Sequence, residues 1–121
     1  MNQYQFTILS DPPSKSNGYK IGIVAGHGTL VKTKAVKEYE NAFYLQCPCR
    51  NANIQGWFKI EIRCFFASNR KDLDGCFKVI LDCLQSCKVI KNDRQCTEIH
   101  AYKFVDKNNP RVEITIKEVE L

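Results

Sequence analysis

An alternating stretch that leads into a helical pattern constrains the fold more than any other feature of the sequence. From Gly56 to Ala67, every second residue is apolar, which predicts a central strand with one buried face. The next apolar residues recur at the spacing of a helix that buries one side, at Leu73, Phe77, Ile80, Leu81 and Leu84. The sequence therefore predicts a strand followed by a helix from about Asp72 to Ser86.

Weaker patterns of the same kinds complete the predicted fold. Alternation predicts further strands, at Gln3–Leu9, Cys96–Val105 and Arg111–Val119, and we expect the last two to form a hairpin. Lys32–Gln46 has helical periodicity, and residues 14–28 are typical of a loop or an irregular hairpin. The predicted fold is α+β, a single domain over residues 1–121. It is a mixed β-sheet of about four main strands carrying two helices, in the order β-loop/hairpin-α-β-α-β-β.

Composition indicates a cytoplasmic protein with reduced thiols. No apolar run is long enough to cross a membrane, and the N-terminus lacks a signal-peptide pattern. The seven cysteines are an odd number, which argues against a disulfide framework. A four-thiolate zinc site from Cys47, Cys49, Cys83 and Cys87 stays open as an alternative, although neither pair has the usual spacing of two intervening residues.

The net charge of +5 is unevenly distributed along the chain. Between positions 15 and 37 there is no acidic residue, and the lysines there include Lys15, Lys20, Lys32 and Lys34. Such a segment suits a polyanion such as a nucleic acid backbone, although isolated solvated lysines would give the same pattern.

The segment Asn69–Gly75 places two basic residues before two carboxylates, Asp72 and Asp74, at the start of the second helix. One acid would suffice to cap a helix, so a second acid and two cations need another explanation. A metal-bound phosphodiester would use all four charges, because the acids would hold the cation while Arg70 and Lys71 would hold phosphate.

Two further residues extend this motif. Lys78 lies one helical turn beyond Asp74, where it could form an ordinary helix ion pair or add positive charge to the site. Asp93 follows Asn92 in a polar turn after the helix. Together with Leu9–Ser14, Lys103 and the segment Pro110–Ile116 near the end, these residues resemble the RusA family of Holliday-junction resolvases in the same order along nearly the whole chain.

The resemblance implies a magnesium-dependent endodeoxyribonuclease that resolves four-way DNA junctions in recombination and repair. It implies that Asp72, Asp74 and Asp93 are the metal ligands and that Lys78 is the catalytic lysine. It also implies a homodimer that makes paired symmetric nicks in a bacterial or phage-infected cell, with Mg²⁺ and no small-molecule cofactor. Arg70, Lys71 and the basic segment would contact DNA phosphates.

Three features depart from the family pattern. Gly75 stands where a residue with a side chain is common, Asn92 replaces the first acid of a frequent pair, and cysteine is unusually abundant. The alternative function is a non-catalytic nucleic-acid-binding module whose acids only cap a helix.

Overall fold

The computed structural model describes residues 2–13, 19–24 and 27–120, and for residues 19–24, 27, 29 and 30 it describes the backbone alone. The predicted loop or hairpin therefore lies partly outside the described residues. Its described part is an antiparallel hairpin of β2 (Tyr19–Val24) and β3 (His27–Lys32). Lys15 and the side chain of Lys20 lie outside the described part.

The remaining elements follow the predicted order. They are β1 (Gln3–Ile8), α1 (Lys34–Gln46), β4 (Phe58–Phe66), α2 (Phe77–Ser86), β5 (Cys96–Val105) and β6 (Arg111–Glu118), with short 3-10 helices at Asp74–Cys76 and Asp93–Gln95. Thr33 is the N-cap of α1, and Cys47 ends the helix just before Pro48. In the described part of the chain, neither helix is long and apolar enough to cross a membrane.

The four-stranded mixed sheet has the order β1-β6-β4-β5, so β4 is central as predicted. β4 pairs with β5 in parallel and with β6 in antiparallel, and β6 also pairs with β1. The predicted hairpin of the last two strands is wrong, because β4 lies between them. The turn after β5 crosses the end of β4, where the Asp106 N–H donates to the Phe66 carbonyl at 2.8 Å.

One face of the sheet carries the core. The alternating residues of β4 on its predicted inner face are all buried, and so are Val112, Ile114 and Ile116 of β6 and Phe6 and Ile8 of β1. The helices cover this face through buried aromatic contacts, such as Phe43 of α1, whose ring meets that of Phe6 edge-on at 6.2 Å. The two helices and the mixed sheet confirm the α+β prediction.

β5 is an exposed edge strand. The alternation of this strand predicts that Ile99 and Ala101, and in second place Tyr102 and Phe104, pack in the core, and the structure corrects that prediction. None of its ten residues is buried, and Ile99, Tyr102, Phe104 and Val105 are at least 41% exposed. The reason is topological: β5 pairs only with β4, so in the described part of the chain its outer edge has no neighbouring strand.

Candidate active site at the start of the second helix

The acid loop, residues 67–74, connects β4 to α2. The predicted helix start at about Asp72 is wrong, because α2 begins at Phe77 and the preceding 3-10 helix begins at Asp74. Within this tight turn, the Gly75 N–H donates to the Asp72 carbonyl at 3.2 Å. The two acids therefore lie in a turn before the α-helix, where residues two apart are not forced to opposite sides as they would be inside α2.

The carboxylates of Asp72 and Asp74 are not used for capping. Leu73 and Cys76, the residues at the N-cap positions of the 3-10 helix and of α2, make no side-chain cap hydrogen bond. Both aspartates are exposed, and neither carboxylate has a hydrogen-bond or ion-pair partner among the described residues. Two carboxylates one residue apart are thus exposed without a partner in the described part of the chain, so helix capping does not explain them.

Lys78 lies in the first turn of α2 and pairs with Asp82, not with Asp74. Its Nζ is 2.9 Å from Asp82 Oδ1, and the lysine side chain is 54% exposed. An exposed pair of this kind contributes a few tenths of a kcal/mol, so the ammonium can exchange partners at little cost.

Asp93 begins the short 3-10 helix after α2. Asn92, which departs from the family pattern, caps this helix because its side-chain oxygen accepts the Arg94 N–H at 3.0 Å. The Asp93 N–H donates to Gln85 Oε1 at 3.0 Å, which holds the turn against the last turns of α2. The Asp93 carboxylate itself has no partner among the described residues.

The structure does not bring Asp93 together with the acid pair. β4 and β5 are parallel, with Phe58 opposite Cys96 and Phe66 opposite Val105. Asp72 and Asp74 follow the end of β4, whereas Asp93 precedes the start of β5, so α2 spans the distance between them. Its ten residues are about 15 Å long. Among the described residues, no three histidine, cysteine or acidic side chains form a group that could hold a metal ion.

The predicted DNA-binding cations fall into two groups. Lys32 and Lys34 lie beside acids of α1: Lys32 Nζ is 2.8 Å from Glu40, and Lys34 Nζ is 3.7 Å from Glu38. The hydrogen bond to Glu40 raises the pKa of Lys32. Arg70 differs, because its guanidinium is exposed and has no partner within the described chain.

Lys71 is held by a residue that the sequence did not single out as functional. Its Nζ donates to Asp11 Oδ2 at 2.8 Å and to the Pro12 carbonyl at 2.9 Å. Asp11 Oδ1 also accepts the Ala67 N–H at 3.1 Å. On the other side of the acid loop, Lys103 Nζ donates to the Asn69 carbonyl at 3.3 Å. No local pattern could reveal partners that are 34 to 60 residues apart.

The cysteines are free thiols, and five of the seven are buried. Cys47 and Cys49 have their Sγ atoms 4.0 Å apart, and those of Cys64 and Cys76 are 3.1 Å apart. Burial raises the pKa of Cys49 to about 12 and that of Cys87 to about 11. Because the described residues include no metal-binding group of three or more such side chains, the zinc alternative has no structural support.

The fold and the site define a small α+β domain that presents a carboxylate pair between a central strand and a helix. Its sequence matches the family described as Endodeoxyribonuclease RusA over residues 12–117 of 121. The chain therefore belongs to the RusA endodeoxyribonuclease family, as the resemblance predicted, and this family resolves Holliday junctions in recombination by hydrolysing DNA. A search of curated proteins gave no match.

Proposed function

We propose that this protein is a magnesium-dependent endodeoxyribonuclease that cuts four-way DNA junctions as a homodimer, with paired symmetric nicks, in DNA recombination and repair. The observation that carries the proposal is the exposed carboxylate pair Asp72 and Asp74, which has no partner among the described residues, in a chain of the RusA family. A non-catalytic binding module would not need two adjacent anions beside the DNA phosphates, because they would repel the backbone unless a cation lay between them.

The donor chemistry fits magnesium. Mg²⁺ favours carboxylate oxygens, keeps several waters and binds through one or two carboxylates together with substrate phosphate. Asp72 and Asp74 would hold the ion, which when bound lowers the pKa of a water and stabilises charge on the phosphate. The two carboxylates need not break any hydrogen bond to described residues before they bind it.

The nearby cations act on the DNA. Lys78 would leave its weak pair with Asp82 and neutralise charge on the scissile phosphate. Arg70 precedes the acid pair by two residues and would contact a neighbouring phosphate. Lys15, Lys20, Lys32 and Lys34 would add backbone contacts outside the cleavage site, giving affinity that falls as salt rises.

A homodimer would explain how Asp93 takes part. Since α2 separates Asp93 from the acid pair of the same chain, a site that uses all three acids needs Asp93 of the partner subunit. Two-fold symmetry would then create two equivalent sites, one for each opposed strand of the junction.

The outer edge of β5 is the surface that we propose for this contact. Its ten residues span about 33 Å, and none of them is buried. A second copy pairing in antiparallel would extend the sheet, and the reversed direction would place Asp93 of the partner subunit near the acid-loop end of β5. If the two copies of β5 paired about their Tyr102 residues, Ile99 of each copy would lie opposite Val105 of the other. Apolar side chains would then face apolar side chains across the contact.

The test is cleavage of a labelled four-way junction and of a linear duplex with the same arm sequences, with and without Mg²⁺. We expect nicks in two opposed strands of the junction, only with Mg²⁺. Asp74→Asn should abolish cleavage and keep junction binding, because it removes a metal ligand and adds no repulsion toward DNA.

Glu61→Gln is the matched control, since it neutralises a carboxylate on the open face of the sheet, where Glu61 pairs with Arg63. It should cleave like the wild type. Cleavage by Asp74→Asn at the wild-type rate would contradict the metal site, and equal cutting of junction and duplex would contradict junction selectivity.

A further inference from the structure

Asp11 holds the acid loop at two points. One carboxylate oxygen accepts the Ala67 N–H at the beginning of the loop, at 3.1 Å, and the other binds Lys71 Nζ at 2.8 Å. Lys71 immediately precedes Asp72 in the chain. The carboxylate of Asp11 thus bridges the beginning of the acid loop and the residue next to the first proposed metal ligand.

The segment that carries Asp11 is well placed to act as a support. Pro12 and Pro13 are buried, and their rings restrict the backbone φ angle, so this segment loses little freedom on folding. The Pro12 carbonyl is a second acceptor for Lys71 Nζ, at 2.9 Å. The side chains of Asp11 and Lys71 are only 32% and 25% exposed, so water screens this ion pair less than it screens the pair of Lys78 with Asp82.

Lys71 therefore makes its polar contacts within the protein. Its ammonium already has two acceptors at hydrogen-bond distance, whereas the guanidinium of the neighbouring Arg70 has none among the described residues. Moving Lys71 onto a DNA phosphate would leave a half-buried carboxylate without its counter-ion. This distribution favours Arg70 as the phosphate contact and Lys71 as a part of the scaffold.

We propose that Asp11 is a positioning residue: through Lys71 and Ala67 it fixes the acid loop so that Asp72 and Asp74 present their carboxylates to one magnesium ion. The inference rests on the proposed function, because it assigns the support of the same metal site. Asp11 itself contacts neither metal nor DNA. Its role is to reduce the conformational freedom that the loop must lose when the ion binds.

The first test is the Mg²⁺ dependence of junction cleavage by Asp11→Asn. Asparagine keeps an oxygen that can accept the Ala67 N–H, and it loses the charge that holds Lys71. We expect the half-saturating Mg²⁺ concentration to rise by about tenfold and kcat to fall, whereas junction binding without metal stays equal or becomes tighter because one negative charge is lost.

Asp106→Asn is the matched control. The Asp106 side chain also forms an ion pair, with Arg111 at 2.9 Å and 37% exposure, but within the described chain it does not contact the acid loop. It should leave the Mg²⁺ dependence unchanged. Lys71→Gln should reproduce the Asp11→Asn effect, and the double variant Asp11→Asn/Lys71→Gln should be no worse than either single variant if Asp11 acts through Lys71.

A second measurement does not depend on activity. Hydrogen exchange of the metal-free protein should be faster at the amides of residues 67–74 in Asp11→Asn than in the wild type, with α2 unchanged. Equal exchange in the two proteins would overturn the inference, and so would an unchanged Mg²⁺ dependence or faster cleavage by Asp11→Asn. Failure of the proposed function is a separate outcome, because it would appear as an inactive wild type.

Discussion

The proposed dimer contact can be tested by weakening the apolar pair Ile99 and Val105 on the outer strand. Fully burying an isoleucine or valine side chain stabilises by about 1.5–3 kcal/mol. Because Ile99 is 41% exposed and Val105 is 51% exposed, a partner strand can bury at most about half of each, or about 1 kcal/mol per side chain. Each contact occurs twice across a two-fold axis, which gives about 2 kcal/mol per position.

We therefore expect Ile99→Thr and Val105→Thr each to raise the dimer dissociation constant by up to about 30-fold. Threonine keeps the β-branch that suits a strand, and both positions are exposed in the single chain, so the stability of the monomer should change little. Sedimentation velocity over a concentration series measures the constant directly.

Leu9→Thr is the control, since Leu9 is 59% exposed and lies outside β5. It should leave the dissociation constant unchanged. The reasoning is refuted if the β5 variants dimerise as tightly as the wild type, or if Leu9→Thr weakens the dimer to the same extent.

Two further predictions follow from buried groups. Tyr39 Oη is buried without a hydrogen-bond partner among the described residues, so Tyr39→Phe should raise the free energy of unfolding in urea by about 1 kcal/mol, and a loss of stability would show that the hydroxyl is bonded. Burial raises the pKa of Cys49 to about 12 and that of Cys87 to about 11. At pH 8 the folded protein should therefore react slowly with a thiol reagent, and all seven thiols should react after denaturation. Rapid reaction of most thiols in the folded state would contradict this prediction.

Local patterns in the sequence were sufficient to predict the elements. The alternation of β4 gave both its boundaries within about two residues and its buried face, since the period of two is a direct consequence of strand geometry. The start of α2 was misplaced because Leu73 fits the apolar stripe, although the backbone there forms a 3-10 turn before the α-helix. Hydrophobic periodicity indicates which side of a helix is buried. It does not distinguish a 3-10 helix from an α-helix, because both can bury Leu73.

The arrangement of strands could not be predicted in the same way. β5 and β6 both alternate and flank a turn, which favours a hairpin locally, but β6 pairs with β4 and β1, and β5 is left at the edge. The position of Asp93 depends on this topology. A strand, a helix and a parallel strand form a crossover in which the helix runs back, so residues at its two ends lie at opposite ends of the sheet.

The sequence predicts the site residues that lie close together in the chain, and it misses contacts between residues that are far apart in the chain. Asp72 and Asp74 stood out because their charge exceeded what a cap requires. The partner of Lys71 is Asp11, 60 residues earlier. Asp11 lies in the Leu9–Ser14 segment that carries part of the family resemblance, but no spacing in the sequence pairs it with Lys71.

The central claim, a site completed by two chains, is tested most directly by mixing Asp74→Asn and Asp93→Asn proteins and measuring Mg²⁺-dependent junction nicking. If each site takes Asp72 and Asp74 from one chain and Asp93 from the other, a mixed dimer has one intact site. An equal mixture after subunit exchange should then contain about a quarter of the wild-type number of intact sites and nick single strands, although each variant alone is inactive. Absence of any nicking by mixed dimers of confirmed composition would contradict the account.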